Sequence, residues 1–282
     1  MLFACQQPAA PVRAARRIVT LTPSLTEIVF ALGAGDRVFG VSDFCDHPAE
    51  VQSRPRVGSF LRPSLERILA LQPDLVLVDG VQQDVAAALA QAGVRVLAVP
   101  LQSLEDVRRA ILRIGAEGVV GQPAAAERLL ARLDAELSKA EQRVRGLERT
   151  PVLFVVDREV GGLRGLVVAG PGTYLDELLQ RAGGTNVFAD LPLRYAKVAV
   201  EEVAARRPQV ILDAVHVPPA DEGARARAAA DWQALAHIPA VAQGRVHLLA
   251  QRSFVTPGPR LGQSIGELLR LLHPTTLTER NP

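Results

Sequence analysis

The stretch Gln122–Leu147, QPAAAERLLARLDAELSKAEQRVRGL, places its apolar residues Ala126, Leu130, Leu133, Leu137, Ala140, Val144 and Leu147 at alternating spacings of four and three. That spacing makes one stripe along a helix and leaves the opposite face charged. Pro123 suits the first turn, where its missing N–H is no loss. Arg132 with Glu136 and Glu141 with Arg145 can pair at i,i+4, and Gly146 and Pro151 close the segment. About 25 residues at about 1.5 Å each give a rod of roughly 37 Å, long enough to span between two α/β lobes.

The flanking sequence supplies those lobes. The expected division is a tether over residues 1–15, an N-terminal α/β lobe over 16–121, the spanning helix over 122–148 and a C-terminal α/β lobe over 149–282. In the first lobe Ile18–Leu21, Val38–Val41, Asp74–Val78 and Val94–Val99 are the expected strands. Between them come a helix capped by Ser24, with Glu27 completing a capping box, a short helix Leu65–Leu71 and a helix Asp84–Ala92. Alternation of this kind builds parallel sheets. In the second lobe the expected elements are a strand Val152–Val156, a helix Tyr174–Arg181 capped by Thr173, a strand Arg245–Leu249 and a closing helix Leu261–Leu272. The fold class expected is therefore α/β, two Rossmann-like lobes with parallel sheets joined by one long helix.

An internal repeat links the lobes. Leu65-Glu66-Arg67-Ile68 leads through Pro73 to Leu75-Val76-Leu77, and Val200-Glu201-Glu202-Val203 leads through Pro208 to Val210-Ile211-Leu212. In each an acid stands seven residues before a proline that ends a short helix and opens a strand, which makes Glu66 and Glu201 equivalent positions.

With 282 residues, 48% hydrophobic and 22% charged, the chain can bury a sizeable core. A net charge of +2, with arginines scattered among acids, gives no nucleic-acid footprint. No run of about 18 apolar residues provides a membrane span. Two cysteines are too few for a disulfide framework. Leu2-Phe3-Ala4-Cys5 reads like the end of a bacterial lipoprotein signal, with Cys5 as the lipid acceptor, although a basic leader is missing.

The segments Ile18-Val19-Thr20-Leu21-Thr22-Pro23-Ser24-Leu25-Thr26-Glu27, Val41-Ser42-Asp43-Phe44-Cys45-Asp46-His47-Pro48, Leu65 through Val76, and Ala182-Gly183-Gly184-Thr185-Asn186-Val187-Phe188 occur in this order around the long helix. With them the chain resembles the helical-backbone class of substrate-binding proteins serving bacterial ABC importers, and most closely the cobalamin-binding branch, from about Arg16 onward. The resemblance implies an extracytoplasmic, non-enzymatic protein without a cofactor. It would be a monomer that holds a bulky small molecule between its lobes and docks on a permease dimer through Glu66 and Glu201, tied to the membrane if Cys5 carries lipid.

In parallel α/β sheets ligands sit beyond the carboxyl ends of strands. Phe44 and Phe60 match aromatic positions of the cobalamin binders, and Tyr195 matches another on the opposite lobe. With Phe254, Ser24 and Arg260 they form the expected ligand set, an apolar wall suited to cobalamin or a related corrinoid. An iron-siderophore or haem receptor of the same fold is the near alternative, with Tyr195 and His47 as the credible axial ligands for haem. From another class comes a serine hydrolase, because Gly262-Gln263-Ser264-Ile265-Gly266 matches the nucleophile-elbow pattern. No strand runs directly into Ser264, and no aspartate lies between it and His273. Cys45, Asp46 and His47 are adjacent, which hinders convergence on one tetrahedral ion, so no metal site is expected there.

Overall fold

A computed structural model describes residues 13–217, 221–249 and 252–274; Cys5 lies outside the described residues. The packing divides into two compact units, one running up to Pro100 and including Arg108–Leu130, the other comprising Leu101–Val107 and the chain from Ala131 onward.

The first unit begins with β1 (Ile18–Thr20), α1 (Pro23–Ala31), β2 (Val38–Val41), α2 (Leu65–Ala70), β3 (Leu75–Asp79), α3 (Gln83–Gln91) and β4 (Val96–Val99). Its sheet is parallel throughout, in the order β2-β1-β3-β4. Every residue of β1 and β3 is buried, as expected of central strands covered on both faces. Val19, Leu21, Val57, Ile68, Val76, Val78 and Leu89 form one apolar cluster against that sheet. Each such side chain, fully buried, contributes about 1.5–3 kcal/mol.

Thr22, not Ser24, caps α1. The Leu25 N–H donates to Thr22 Oγ1 at 3.3 Å, Pro23 occupies the first helical position, and Ser24 is already inside the helix and buried. Two further helices follow, α4 (Leu104–Gly115) and α5 (Pro123–Val144). The sequence pattern around 101–121 had not marked α4 as a separate element.

The long helix forms where the apolar stripe placed it. Ala126, Leu130, Leu133, Leu137 and Ala140 are all buried, and Leu129 joins them. Its residues to Leu130 pack with the first unit and those from Ala131 with the second. At 22 residues it is about 33 Å long and ends at Val144, three residues short of Leu147. Glu141 pairs across to Arg181 instead of along its own helix to Arg145.

The second unit adds β5 (Thr150–Asp157), β6 (Val167–Ala169), α6 (Tyr174–Arg181), β7 (Gly184–Asn186), β8 (Tyr195–Lys197), α7 (Val200–Arg206), β9 (Val210–Asp213), α8 (Glu222–Ala230), α9 (Pro239–Ala242), β10 (Val246–Leu248) and α10 (Leu261–Leu272). Its sheet runs β10-β9-β5-β6-β8, with β7 also on β5. The β10, β9, β5 and β7 pairings are parallel, whereas β6 is antiparallel to β5 and β8 antiparallel to β6. The core holds Leu153, Val155, Phe188, Val203, Ile211 and Trp232.

The repeat is visible in the backbone. Gln72 at φ 46° and Arg207 at φ 47°, at matching positions just before Pro73 and Pro208, are the non-glycine residues with left-handed φ among the described residues. Proline disfavours the α-helical region in the residue before it, and both copies leave their helix by the same rare conformation. Ile68 and Val203 anchor α2 and α7 from equivalent buried positions, and Glu66 and Glu201 are exposed in the first turn of each.

Candidate functional site

In the first unit the loops beyond β2 and β3 are stitched together. The Asp43 N–H donates to the Gly58 carbonyl at 2.9 Å, and Arg56 Nη1 donates to the carbonyls of Cys45 at 2.6 Å and Ser42 at 3.0 Å. Gly58, at φ 103°, turns the chain so tightly that a Cβ would lie 2.6 Å from the Arg62 carbonyl oxygen. Gln82 bridges the two loops: its Nε2 donates to the Phe60 carbonyl at 2.7 Å and its Oε1 accepts from the Asp79 N–H at 3.0 Å.

This scaffold holds apolar side chains in solvent. Phe44 is 43% exposed, Leu61 83% and Val81 61%, and Phe60 is half-buried beside Leu61. Exposed apolar groups gathered on bracing loops mark a contact surface. Phe44 and Phe60 were visible in the sequence as candidates. Leu61, Val81 and the bridging Gln82 were not, because no pattern distinguishes them from ordinary loop residues.

Cys45 lies beneath this loop, 1% exposed, with its Sγ 3.1 Å from Thr26 Oγ1 and 3.2 Å from Ser42 Oγ. Burial pushes its thiol pKa up, against the opposing pull of the Ser42 and Thr26 hydrogen bonds. The thiol therefore faces the core, whereas His47, at a cis His47–Pro48 bond, is exposed. Among the described residues no group of three His, Cys, Asp or Glu side chains could hold a metal.

In the second unit Tyr195 lies on the antiparallel edge. Ala169 pairs with Tyr195, and the Gly170 N–H donates to the Arg194 carbonyl at 2.7 Å. A Cβ on Gly170 would sit 2.2 Å from the Leu193 carbonyl oxygen, so only glycine fits. Thr173 caps α6, its Oγ1 accepting from the Asp176 N–H at 3.1 Å and donating to the Gly170 carbonyl at 3.0 Å. Asp176 turns away from the cap to Asn186 and Gln180. Tyr195 is half-buried, and Leu193 is 59% exposed.

Tyr174 was absent from the sequence-based set. It is 4% exposed, and its hydroxyl donates to the Phe254 carbonyl at 3.2 Å. Burial first, and then the neighbouring Tyr195, drive its pKa well above the usual phenol value. Phe254 itself is 0% exposed, a core ring and not a wall residue. Ser24 is buried as well, and Arg260 is half-buried, its carbonyl accepting the Ser264 N–H at the start of α10.

The serine pattern has a packing explanation. Ser264 is 1% exposed, and its Oγ donates to the Arg260 carbonyl four residues back at 3.4 Å. His273 at the far end of α10 bonds the Ala182 carbonyl at 3.0 Å. Gly262 gives room to the Glu136 side chain, whose carboxyl occupies the space a Cβ would fill.

The carboxyl ends of β5 and β9 are closed by an ion pair. Arg158 Nε donates to Asp213 Oδ2 at 2.8 Å, its Nη1 to Asp231 Oδ2 at 2.8 Å and its Nη2 to the Ala228 carbonyl at 2.8 Å. Trp232 Nε1 donates to the same Asp213 oxygen at 2.8 Å. A groove at the carboxyl ends of α5 and α6, lined by Glu141, Arg149, Gln180 and Arg181, is likewise crossed by bonds, with Arg149 Nη2 donating to the carbonyls of Gln180 and Gly184.

Comparison with known proteins agrees with this architecture. The chain is 28% identical over 269 residues to an ABC transporter substrate-binding lipoprotein of Bacillus subtilis (strain 168), covering 94% of this chain and 82% of the relative. It is 32% identical over 201 residues to the vitamin B12-binding protein of Salmonella paratyphi A, covering 71% and 72%. The solved periplasmic heme-binding protein of Roseiflexus sp. RS-1 superposes with a TM-score of 0.78 at 30% identity, over 93% of this chain and 100% of that one. No helix among the described residues is long and apolar enough to cross a membrane. Residues 18–252 match the periplasmic binding protein family, and the chain belongs to that family as a substrate-binding component of ABC import, not an enzyme.

Proposed function

We propose that the protein binds cobalamin or a related corrinoid outside the cytoplasmic membrane and hands it to the permease of an ABC importer. The observation that carries this reading is the exposed apolar set Phe44, Leu61 and Val81, with Phe60 beside it, on loops braced by Arg56 and Gln82. Such a surface suits a large, preformed, largely apolar ligand that it can pack against without reshaping. The resemblance of the 32% identical relative, named for vitamin B12, favours the same ligand. Glu66 and Glu201, exposed and equivalent in the repeat, are the proposed contacts to arginines of the permease, and Cys5 the proposed lipid attachment.

Haem is the second reading, favoured by the Roseiflexus relative. Its credible axial ligands, Tyr195 and His47, are half-buried and exposed respectively. Titration calorimetry and absorbance with cyanocobalamin, haemin and a ferric siderophore separate the readings. Micromolar or tighter corrinoid binding is expected; silence with corrinoid beside clear binding of haemin or siderophore would reassign the ligand.

A further inference from the structure

In the first sheet β1 runs between β2 and β3, all three parallel, so the segment leaving its carboxyl end lies between the loops that carry Phe44 and Val81. That segment, Thr22-Pro23-Ser24, opens α1 and is tied to both neighbours. The Ser42 N–H donates to the Thr20 carbonyl at 3.1 Å, and the Leu21 N–H donates to the Leu77 carbonyl at 3.0 Å. Cys45 Sγ, next to Phe44 in the chain, lies 3.1 Å from Thr26 Oγ1 in the first turn of the helix. The amino end of α1 is thus fixed in the middle of the apolar set of the first unit.

The donors at that end are not all used. The Leu25 N–H goes to Thr22 Oγ1 and the Thr26 N–H to the Thr22 carbonyl, while Pro23 has none to give. The Ser24 N–H and the Ser24 hydroxyl have no partner among the described residues, although Ser24 is only 4% exposed. The buried hydroxyls around it are engaged: Thr20 with Thr26 at 2.7 Å, Thr26 with the Thr22 carbonyl at 3.0 Å and Ser42 with Cys45 at 3.2 Å. Helical side chains tilt toward the amino end, which turns the Ser24 hydroxyl to the side of its free N–H. Unlike Ser253 Oγ, which is sealed in and unpartnered, Ser24 Oγ still reaches solvent. Two donors at the positive end of a nine-residue helix, set among apolar side chains, call for an acceptor oxygen.

We propose that Ser24 and the amino terminus of α1 form a subsite for a carbonyl or carboxylate oxygen on the periphery of the ligand, with the Ser24 hydroxyl and N–H as its two donors. This deepens the reading of the first-unit loops as a ligand surface and rests on it. The amide side chains of a corrinoid and the propionates of haem both present such an oxygen, and the probes tell them apart.

The test titrates cyanocobalamin, haemin and haemin dimethyl ester into the intact protein and into Ser24→Ala by calorimetry, with denaturant unfolding of both proteins alongside. Because the hydroxyl bonds nothing within the described residues, Ser24→Ala is expected to unfold at an unchanged or slightly higher denaturant concentration, yet to hold the bound probe about fivefold to tenfold more weakly. In amide-resolved NMR the backbone N–H at that position is expected to shift on ligand addition, in the variant as well, since the backbone supplies it. A loss with cyanocobalamin that added salt does not reduce identifies an amide carbonyl; a larger loss with haemin than with its ester identifies a carboxylate and moves the ligand to haem. Equal affinity of Ser24→Ala and the intact protein for every probe that binds overturns the subsite and leaves ligand binding on these loops intact. Weaker binding without an amide shift at that position also overturns it. No binding of any probe by the intact protein overturns the subsite and the ligand reading together.

Discussion

In the first unit the loops beyond β2 and β3 leave Phe44, Leu61 and Val81 in solvent, whereas in the second unit the corresponding ends of β5 and β9 are closed by Arg158, Asp213 and Trp232. The first sheet is parallel throughout, so its strand ends are free to carry a recognition surface. The second adds the antiparallel strands β6 and β8, and its candidate Tyr195 sits on that added edge. A shared repeat therefore does not imply a shared site. The units agree in the α2–β3 and α7–β9 segments and diverge where a ligand would be recognised.

That comparison can be attacked where the units agree. If the repeat serves docking on both sides, Glu66→Lys with Glu201→Lys abolishes uptake and leaves ligand affinity unchanged; both acids are exposed first-turn residues and neither belongs to the candidate ligand set. Transport assays beside calorimetry check this; uptake by the doubly reversed protein removes the docking role.

It can also be attacked at the closed end of the second sheet. Arg158→Met leaves the fully buried Asp213 carboxylate without its guanidinium. The expected loss is about 3–5 kcal/mol, since the surviving charge stays buried. Denaturant unfolding checks it, and a loss under about 1 kcal/mol would mean that this end is not closed as described.

A smaller effect sharpens the open end of the first. Phe60→Ala is expected to weaken corrinoid binding about tenfold, equivalent to about 1.4 kcal/mol, with little change in stability because the ring is only half-buried. Unchanged affinity would exclude Phe60 from the contact.

Much of this was legible from residue spacing. The stripe from Ala126 to Ala140 located the long helix, and β-branched runs located β2, β3 and β5 within a residue or two. The last turn beyond Val144 was overextended because Leu147 continues the stripe past Gly146, which sits at φ 79° where a helix cannot follow. The antiparallel edge was not legible: β6 and β8 have three residues each, too few to show a period, and strand direction leaves no mark in so short a run. Phe44 is exposed and Phe60 and Tyr195 are half-buried, whereas Phe254 is turned into the core. An aromatic in a loop has the same sequence signature whether it faces solvent or fills a cavity. Ser24 lost the cap to Thr22 because Pro23 already fills the first helical position, which makes the residue before it the cap.

Hydrogen exchange of the intact protein with and without cyanocobalamin tests most directly whether recognition sits on these loops. Ligand-dependent protection is expected in residues 42–48, 58–64 and 79–82 of the first unit and 170–174 and 193–195 of the second, with no change at 158–162 and 213–217. Protection confined to the segments around Arg158 and Asp213, with the Phe44 and Phe60 loops unaffected, would contradict it.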